Sequence, residues 1–236
     1  MTTKTIPNSA LKKLTKIKKQ GKIYFQYNKN NISPWYNIPY FDKKSKCYNM
    51  ICEIPKWTRD KFEVATDKTN HPIVQDKIDN KPRSFIYGDM MWNYGLIPQT
   101  YEDPSHIYSR TGKPGDGDPI DIIDIGYLPK NSGDIIKVKV LGVIPMIDDG
   151  ETDWKIISIN KDDPLSKKLN DINDVKKYIP GLIEASFNWF RNYKFARKGT
   201  KATFALNGKP GDKKLAETII NQGHEHWLAY SSKKLD

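Results

Sequence analysis

The stretch "GDGDPIDIIDI", Gly115 to Ile125, constrains this chain more than any other. Four aspartates within nine residues, Asp116, Asp118, Asp121 and Asp124, run straight into an apolar segment that has to be buried. Carboxylates that close repel one another unless water separates them or a cation sits between them. Gly and Asp also build solvated turns, so two readings stand: a surface turn, or a metal site at the end of a buried strand. Either way, acid meets core at a strand end.

The neighbouring segments suit such a strand. "KCYNMICEI", "PIDIIDIGYL", "DIIKVKVLGVI" and "DWKIISI" are short apolar runs between Pro, Gly and Asn punctuation. In the third, Ile136, Val138 and Val140 alternate with Lys137 and Lys139, the period of a half-buried strand. Several such strands in series predict a closed or partly closed β-barrel. After Pro164 the texture turns helical. Asp171 can cap "INDVKKYI", Pro180 suits the first turn of "PGLIEASFNWFRNYKFA", and Asp212 to Tyr230 can form a terminal helix weakened by Gly223. Leu11, Leu14 and Ile17, three residues apart among lysines, fit a short amphipathic helix. The expected fold is mainly β: one domain, a barrel first with helices packed on it afterwards.

The formal net charge of +11 is unevenly placed. Residues 1–30 hold eight lysines and no acid, which leaves the body, 31–236, nearly balanced. That basic N-terminal arm could touch nucleic acid or an acidic surface, but it reads better as a solvated or disordered lead-in. Two cysteines without CxxC spacing, no signal-peptide run and no membrane-length apolar segment fit a reduced, cytoplasmic protein.

As a calcium loop of the EF-hand type, "GDGDPID" fails, because the sixth position would be Asp121 rather than Gly and the twelfth Tyr127 rather than Glu. His224 and His226 lack a third partner for zinc and read as surface or packing residues. A second acidic knot, "IDDGETDWKI", holds Asp148, Asp149, Glu151 and Asp153 before Lys155, between two apolar strands. Two acidic loops at strand junctions can converge at one mouth of a barrel. Carboxylates at that density suit Mg²⁺, which in turn points to a polyanionic substrate and phosphoryl chemistry. Glu53, Lys61 and Glu63 in "EIPKWTRDKFE" share one strand face by parity. Arg83, Tyr94, Tyr193 and Lys194 are further cations and hydroxyl donors.

Together these segments resemble the soluble family I inorganic pyrophosphatases of eukaryotic type. "GDGDPID" is similar to the family signature, and "EIPKWTRDKFE", "NYGLIPQTYEDP", "DDGETDWKI", "DPLSKKLNDINDVKKYIPGL" and "NWFRNYK" follow in the family's order over about residues 48–195. The resemblance implies a five-stranded OB-like barrel with flanking helices, a homodimer, and Mg²⁺-dependent hydrolysis of pyrophosphate to two orthophosphates, without a phosphoenzyme. Three to four Mg²⁺ ions per site are implied. Asp116, Asp121 and Asp153 resemble the carboxylates of the first metal, Asp121 also serving the second. Asp148 and Asp153 resemble ligands of a third and Glu63 of a fourth. Asp118 resembles the group that deprotonates a metal-bridging water, the nucleophile. Lys61, Arg83, Tyr94, Lys155, Tyr193 and Lys194 resemble the phosphoryl ligands, and Glu53 lines the same site.

The chain departs from the pattern in two places. Met90 stands where relatives usually have a second tyrosine, and Lys56 precedes Trp57 where they commonly have arginine, at a pair that often meets the second subunit. The rival class is a nucleic-acid-binding OB barrel without turnover, which the basic arm favours and the two acidic clusters oppose.

Overall fold

In the computed structural model, residues 4–234 are described, so the first three residues of the lysine-rich segment and residues 235–236 lie outside it. The strands that position the site are, in chain order, Thr15–Lys19 (β1), Lys22–Tyr27 (β2), Cys47–Ile54 (β3), Phe62–Val64 (β4), Ile73–Gln75 (β5), Asn93–Leu96 (β6), Asp121–Asp124 (β7), Ile135–Asp148 (β8) and Glu151–Asn160 (β9). The main helices are Ile172–Tyr178 (α1), Leu182–Asn192 (α2) and Lys213–Lys233 (α3).

β8 is long enough to belong to two edges. Its first residues pair with β3 and the rest with β9, across a register shift between Val140 and Gly142. A bulge of this kind bends a strand and raises its twist, which is how a sheet turns a corner. β9 runs parallel to β7, β7 pairs with β6, and β6 returns to β3. Five strands therefore close a ring, the mainly β architecture that the apolar runs and the family resemblance call for.

Alternation along these strands sorts side chains onto two faces. Ile54, Ile123, Ile144, Ile157 and Ile159 pack on α1 and α2 through Val175, Ile183, Phe187 and Phe190. Cys52, Ile122, Val143, Trp154 and Ile156 pack instead on Ala216, Ile219 and Ile220 of α3. Asp171 and Asp212 cap α1 and α3, accepting from Asn173 N at 3.2 Å and Leu215 N at 2.8 Å.

Four expectations need correction. Leu11, Leu14 and Ile17 do not share a helix: a 3₁₀ turn covers Asn8–Lys13 and Ile17 sits in β1. The described part of the segment read as a solvated lead-in is folded, since β1 and β2 join a second sheet with β5 and β4, and Ile23 and Phe25 are buried in its core. The hairpin turns at Gln20 and Gly21, both at positive φ, the geometry that suits tight hairpins. Pro180 precedes α2, whose N-cap is Gly181. Gly223 also does not weaken α3: a Cβ there would come within 2.4 Å of the Ile120 side chain, so glycine lets the helix lie on the ring.

Candidate active site

All thirteen residues singled out in the sequence line one cleft of about 600 Å³. Alternation and register put them there. Asp121, Asp153 and Lys155 continue, at one end of the ring, the face that Ile123 and Ile157 bury further along the same strands. The parallel pairing of β7 with β9 sets Asp121 directly beside Lys155. Tyr94 enters from β6, where Gly95 is obligatory because a Cβ would lie 1.8 Å from Ile51 O. The loop carrying Asp116 and Asp118 lies so close to Glu102 that a Cβ on Gly115 would come within 2.3 Å of that residue's backbone. The 147–153 loop and the end of α2 bring Asp148, Tyr193 and Lys194 to the opposite rim.

The acidic end is strongly unsatisfied. One ligand atom each from Glu102, Asp116 and Asp153 lies within 4.8 Å of the others. Burial, then Asp153 and Asp118, push Asp116 well above the ordinary carboxylate range. Burial raises Asp153 to about 7, with Asp121 adding to it against the pull of Lys155. Asp118 reaches solvent in the cleft, yet desolvation by the walls, Asp121 and Glu63 raise it to about 6. Glu53, which accepts from Val64 N at 2.6 Å, is raised by burial and Asp121. Lys155 is 3% exposed; burial disfavours its charge, but ion pairs with Asp121 and Asp153 outweigh that and hold it protonated. Its ammonium also donates to the Tyr94 hydroxyl at 3.2 Å.

The other wall balances its charges internally. Lys61 pairs with Glu63 and, at 3.3 Å, with Asp76, while Arg83 reaches Asp76 at 2.7 Å. Tyr193 donates to Asp148 at 2.9 Å, and Lys194 pairs with Asp148 and with Asp149.

Two residues of the site escaped the sequence reading. Glu102 is fully buried; its Oε1 accepts from Trp154 N at 3.1 Å, and its Oε2 has no hydrogen-bond partner among the described residues. A buried carboxylate oxygen without a donor, facing two further acids, fits a divalent cation held by hard oxygen ligands. The only sequence signal was an acid inside "QTYEDP". Asp76, the joint partner of Lys61 and Arg83, carried no signal beyond its charge.

The remaining candidates fall elsewhere. Asp124 leaves the cleft, because alternation turns it to the opposite face, where it accepts from Asn93, Gly126 and Asn160. Met90 is buried in the core rather than lining the cleft. His224 stacks on Tyr40 and bonds to Gln99 O, a packing role, while His226 lies against His106 and Tyr108. Both cysteines are buried and free. Among the described residues no helix is long and apolar enough to cross a membrane.

Residues 50–228 match the protein family described as inorganic pyrophosphatase. Over 211 residues the chain is 44% identical to "Inorganic pyrophosphatase 1" of Caenorhabditis elegans and 46% identical to "Inorganic pyrophosphatase" of Drosophila melanogaster, using 87% of this chain in each case. It spans 49% and 62% of the lengths of those two relatives. The crystal structure of an N-terminally truncated vacuolar soluble pyrophosphatase of Trypanosoma cruzi, solved in complex with PPi, is similar at a TM-score of 0.88 and 38% identity, covering 93% of this chain and 90% of that one.

Proposed function

The chain belongs to the soluble family I inorganic pyrophosphatases of eukaryotic type, and on that premise we propose that it hydrolyses inorganic pyrophosphate to two orthophosphates in a Mg²⁺-dependent reaction. The observation that carries the proposal is the joining of carboxylates and cations in one cleft: Asp116, Asp118, Asp121 and Asp153 at one end, Lys61 and Arg83 on the facing wall. The match of residues 50–228 to a pyrophosphatase family does not favour the nucleic-acid alternative.

Three to four Mg²⁺ ions would be held by Asp116, Asp121 and Asp153 with Asp148 and Glu63, and when bound would neutralise phosphate charge and acidify the attacking water. The protein's own groups do the rest. Lys61 and Arg83 bind one phosphoryl group, while Tyr193, Lys194 and Lys155 bind the other, with Tyr94 bridging Asp121 and Lys155. Their ion pairs with Asp76, Asp148 and Asp153 hold the ammonium and guanidinium groups in place before substrate arrives, so little reorganisation is needed. Asp118 accepts the proton of the attacking water. Its position at about 6 lets it exist as carboxylate at neutral pH and still act as an effective base. Its backbone N–H donates to Asp116 at 3.0 Å, which fixes the loop for that task. Water attacks one phosphorus, the bridging P–O bond breaks, and the second orthophosphate departs without any bond to the protein. Glu53 orders the floor by binding Val64 N.

We also assign a second copy of the chain to the face around Trp57, which is 64% exposed.

The deciding test is phosphate release from pyrophosphate by the purified chain with Mg²⁺ and with chelator, alongside Asp118→Asn. Mg²⁺-dependent release that the substitution lowers by about two orders of magnitude or more is expected, the scale of a lost general base. No release from folded, Mg²⁺-loaded protein would overturn the proposal.

A further inference from the structure

The lysine-rich N-terminal segment has no part in the chemistry above, yet the sheet delivers it to the same cleft. β1 and β2 pair with Lys19 opposite Lys22. β2 meets β5 with Ile23 opposite Ile73, a register that sets Lys22 against Val74, and Val74 in turn stands opposite Glu63. Residues directly opposed in antiparallel strands project to one face. Lys19, Lys22, Val74 and Glu63 therefore form a row across four strands, next to the row in which Asp76 and Lys61 meet. With strands about 4.8 Å apart, the Lys22 backbone lies roughly 10 Å beyond that of Glu63.

Lys22 lines the cleft together with Lys68 and Lys77. Lys16, by contrast, is spent on Asp134, and Lys68 on Asp67 at 3.2 Å. Lys19 and Lys22 make no ion pair among the described residues. Like charges placed directly opposite on a sheet are unfavourable unless an anion joins them. The cleft, at about 600 Å³, is in the size range that takes ligands much larger than the nine-atom pyrophosphate anion.

We propose that Lys22, with Lys19 opposite it, forms an outer anion subsite that holds the third phosphoryl group of a linear inorganic polyphosphate whose first two occupy the pyrophosphate site, the second of them at Lys61 and Arg83. This rests on the pyrophosphatase reading of the same cleft. Lys22 lines the cleft, Lys19 stands opposite it on the hairpin, and ammonium groups on such flexible stems serve as point charges for phosphate.

The test measures the inhibition constant of unlabelled tripolyphosphate against initial release from isotopically labelled pyrophosphate, at fixed free Mg²⁺. Lys19→Ala/Lys22→Ala should raise that constant about five- to tenfold with the pyrophosphate KM unchanged, the scale of two charge-assisted contacts near the surface. Lys22→Arg should restore most of the loss, and 0.5 M KCl should shrink the difference by screening. An unchanged inhibition constant in the double variant overturns the subsite and leaves the pyrophosphatase reading intact. If pyrophosphate is not hydrolysed at all, that reading fails by itself, and calorimetric titration of tripolyphosphate into both proteins decides the subsite directly. Circular dichroism of the double variant confirms that the hairpin substitutions leave the fold in place.

Discussion

The two acidic loops look alike in sequence and differ completely in charge balance. In the 115–121 loop, Asp116 and Asp118 face one another, Asp153 and Asp121, and burial lifts both out of the ordinary range. In the 147–153 loop, Asp149 meets Lys194 at 2.9 Å and Lys198 at 2.8 Å, bonds that pull it down to about 2. Acid density is therefore not the signature of a cation site. What marks one is acid in excess of its countercharge: among the described residues Asp116 and Asp118 of the first loop make no ion pair, and Asp121 and Asp153 share Lys155.

The sharpest way to break this contrast is substitution in the two loops. Asp121→Asn should cost at least as much as Asp118→Asn, about 10²-fold or more in kcat/KM. It should also destabilise the fold by about 3 kcal/mol, because it removes one partner of the buried Lys155. Asp149→Asn should stay within roughly threefold of the parent rate. Comparable losses in both loops, measured by phosphate release, would erase the distinction.

A second experiment removes divalent cations and follows thermal unfolding against pH. Asp118 and Asp153 bind protons up to about 6 and 7 in the folded protein, against an ordinary carboxylate value near 4 when unfolded. The folded state then holds more protons between those values, so stability falls as pH rises from about 4 to about 7. Saturating Mg²⁺ should flatten that slope and raise Tm at pH 7.5 by on the order of 5 °C. An identical slope with and without Mg²⁺ would show that the cluster does not hold the ion.

Glu102→Gln sharpens the comparison further. Gln keeps an acceptor for Trp154 N but cannot ionise to a carboxylate facing Asp116 and Asp153, and Mg²⁺ affinity should drop about tenfold, the usual scale for a group supporting a metal site. Unchanged affinity would reduce Glu102 to a support for the backbone. The smallest effect belongs to Asp149→Asn in stability. At 44% side-chain exposure its ion pairs are worth at most about 1 kcal/mol at pH 7. Since its folded value is depressed, that contribution is lost as pH falls through about 2, and acid unfolding of the two proteins should converge there.

Much of the fold was legible because strands announce themselves by alternation. Ile136, Val138 and Val140 are buried as their spacing requires. Leu11, Leu14 and Ile17 misled because three-residue spacing over so short a run fits one helical turn as well as a turn followed by a strand. The β-branched and aromatic run "KIYFQY" after Gly21 was the better signal. Gly223 misled for a different reason: its cost to a helix is local, whereas its value lies in contact with Ile120, about a hundred positions away.

By itself, the sequence determined which chemistry was available: hard carboxylates at two strand junctions, cations and tyrosines in fixed order, and a β framework to hold them. It also carried the likeness to a family. Tertiary structure decided which charges meet. Asp121 finds Lys155 through parallel pairing, one oxygen of Glu102 is buried without a donor among the described residues, and the lysine-rich hairpin joins the cleft through register with Val74. A carboxylate's state depends on the dielectric and the charges within a few ångströms, and those neighbours come from distant segments that only pairing and packing bring together.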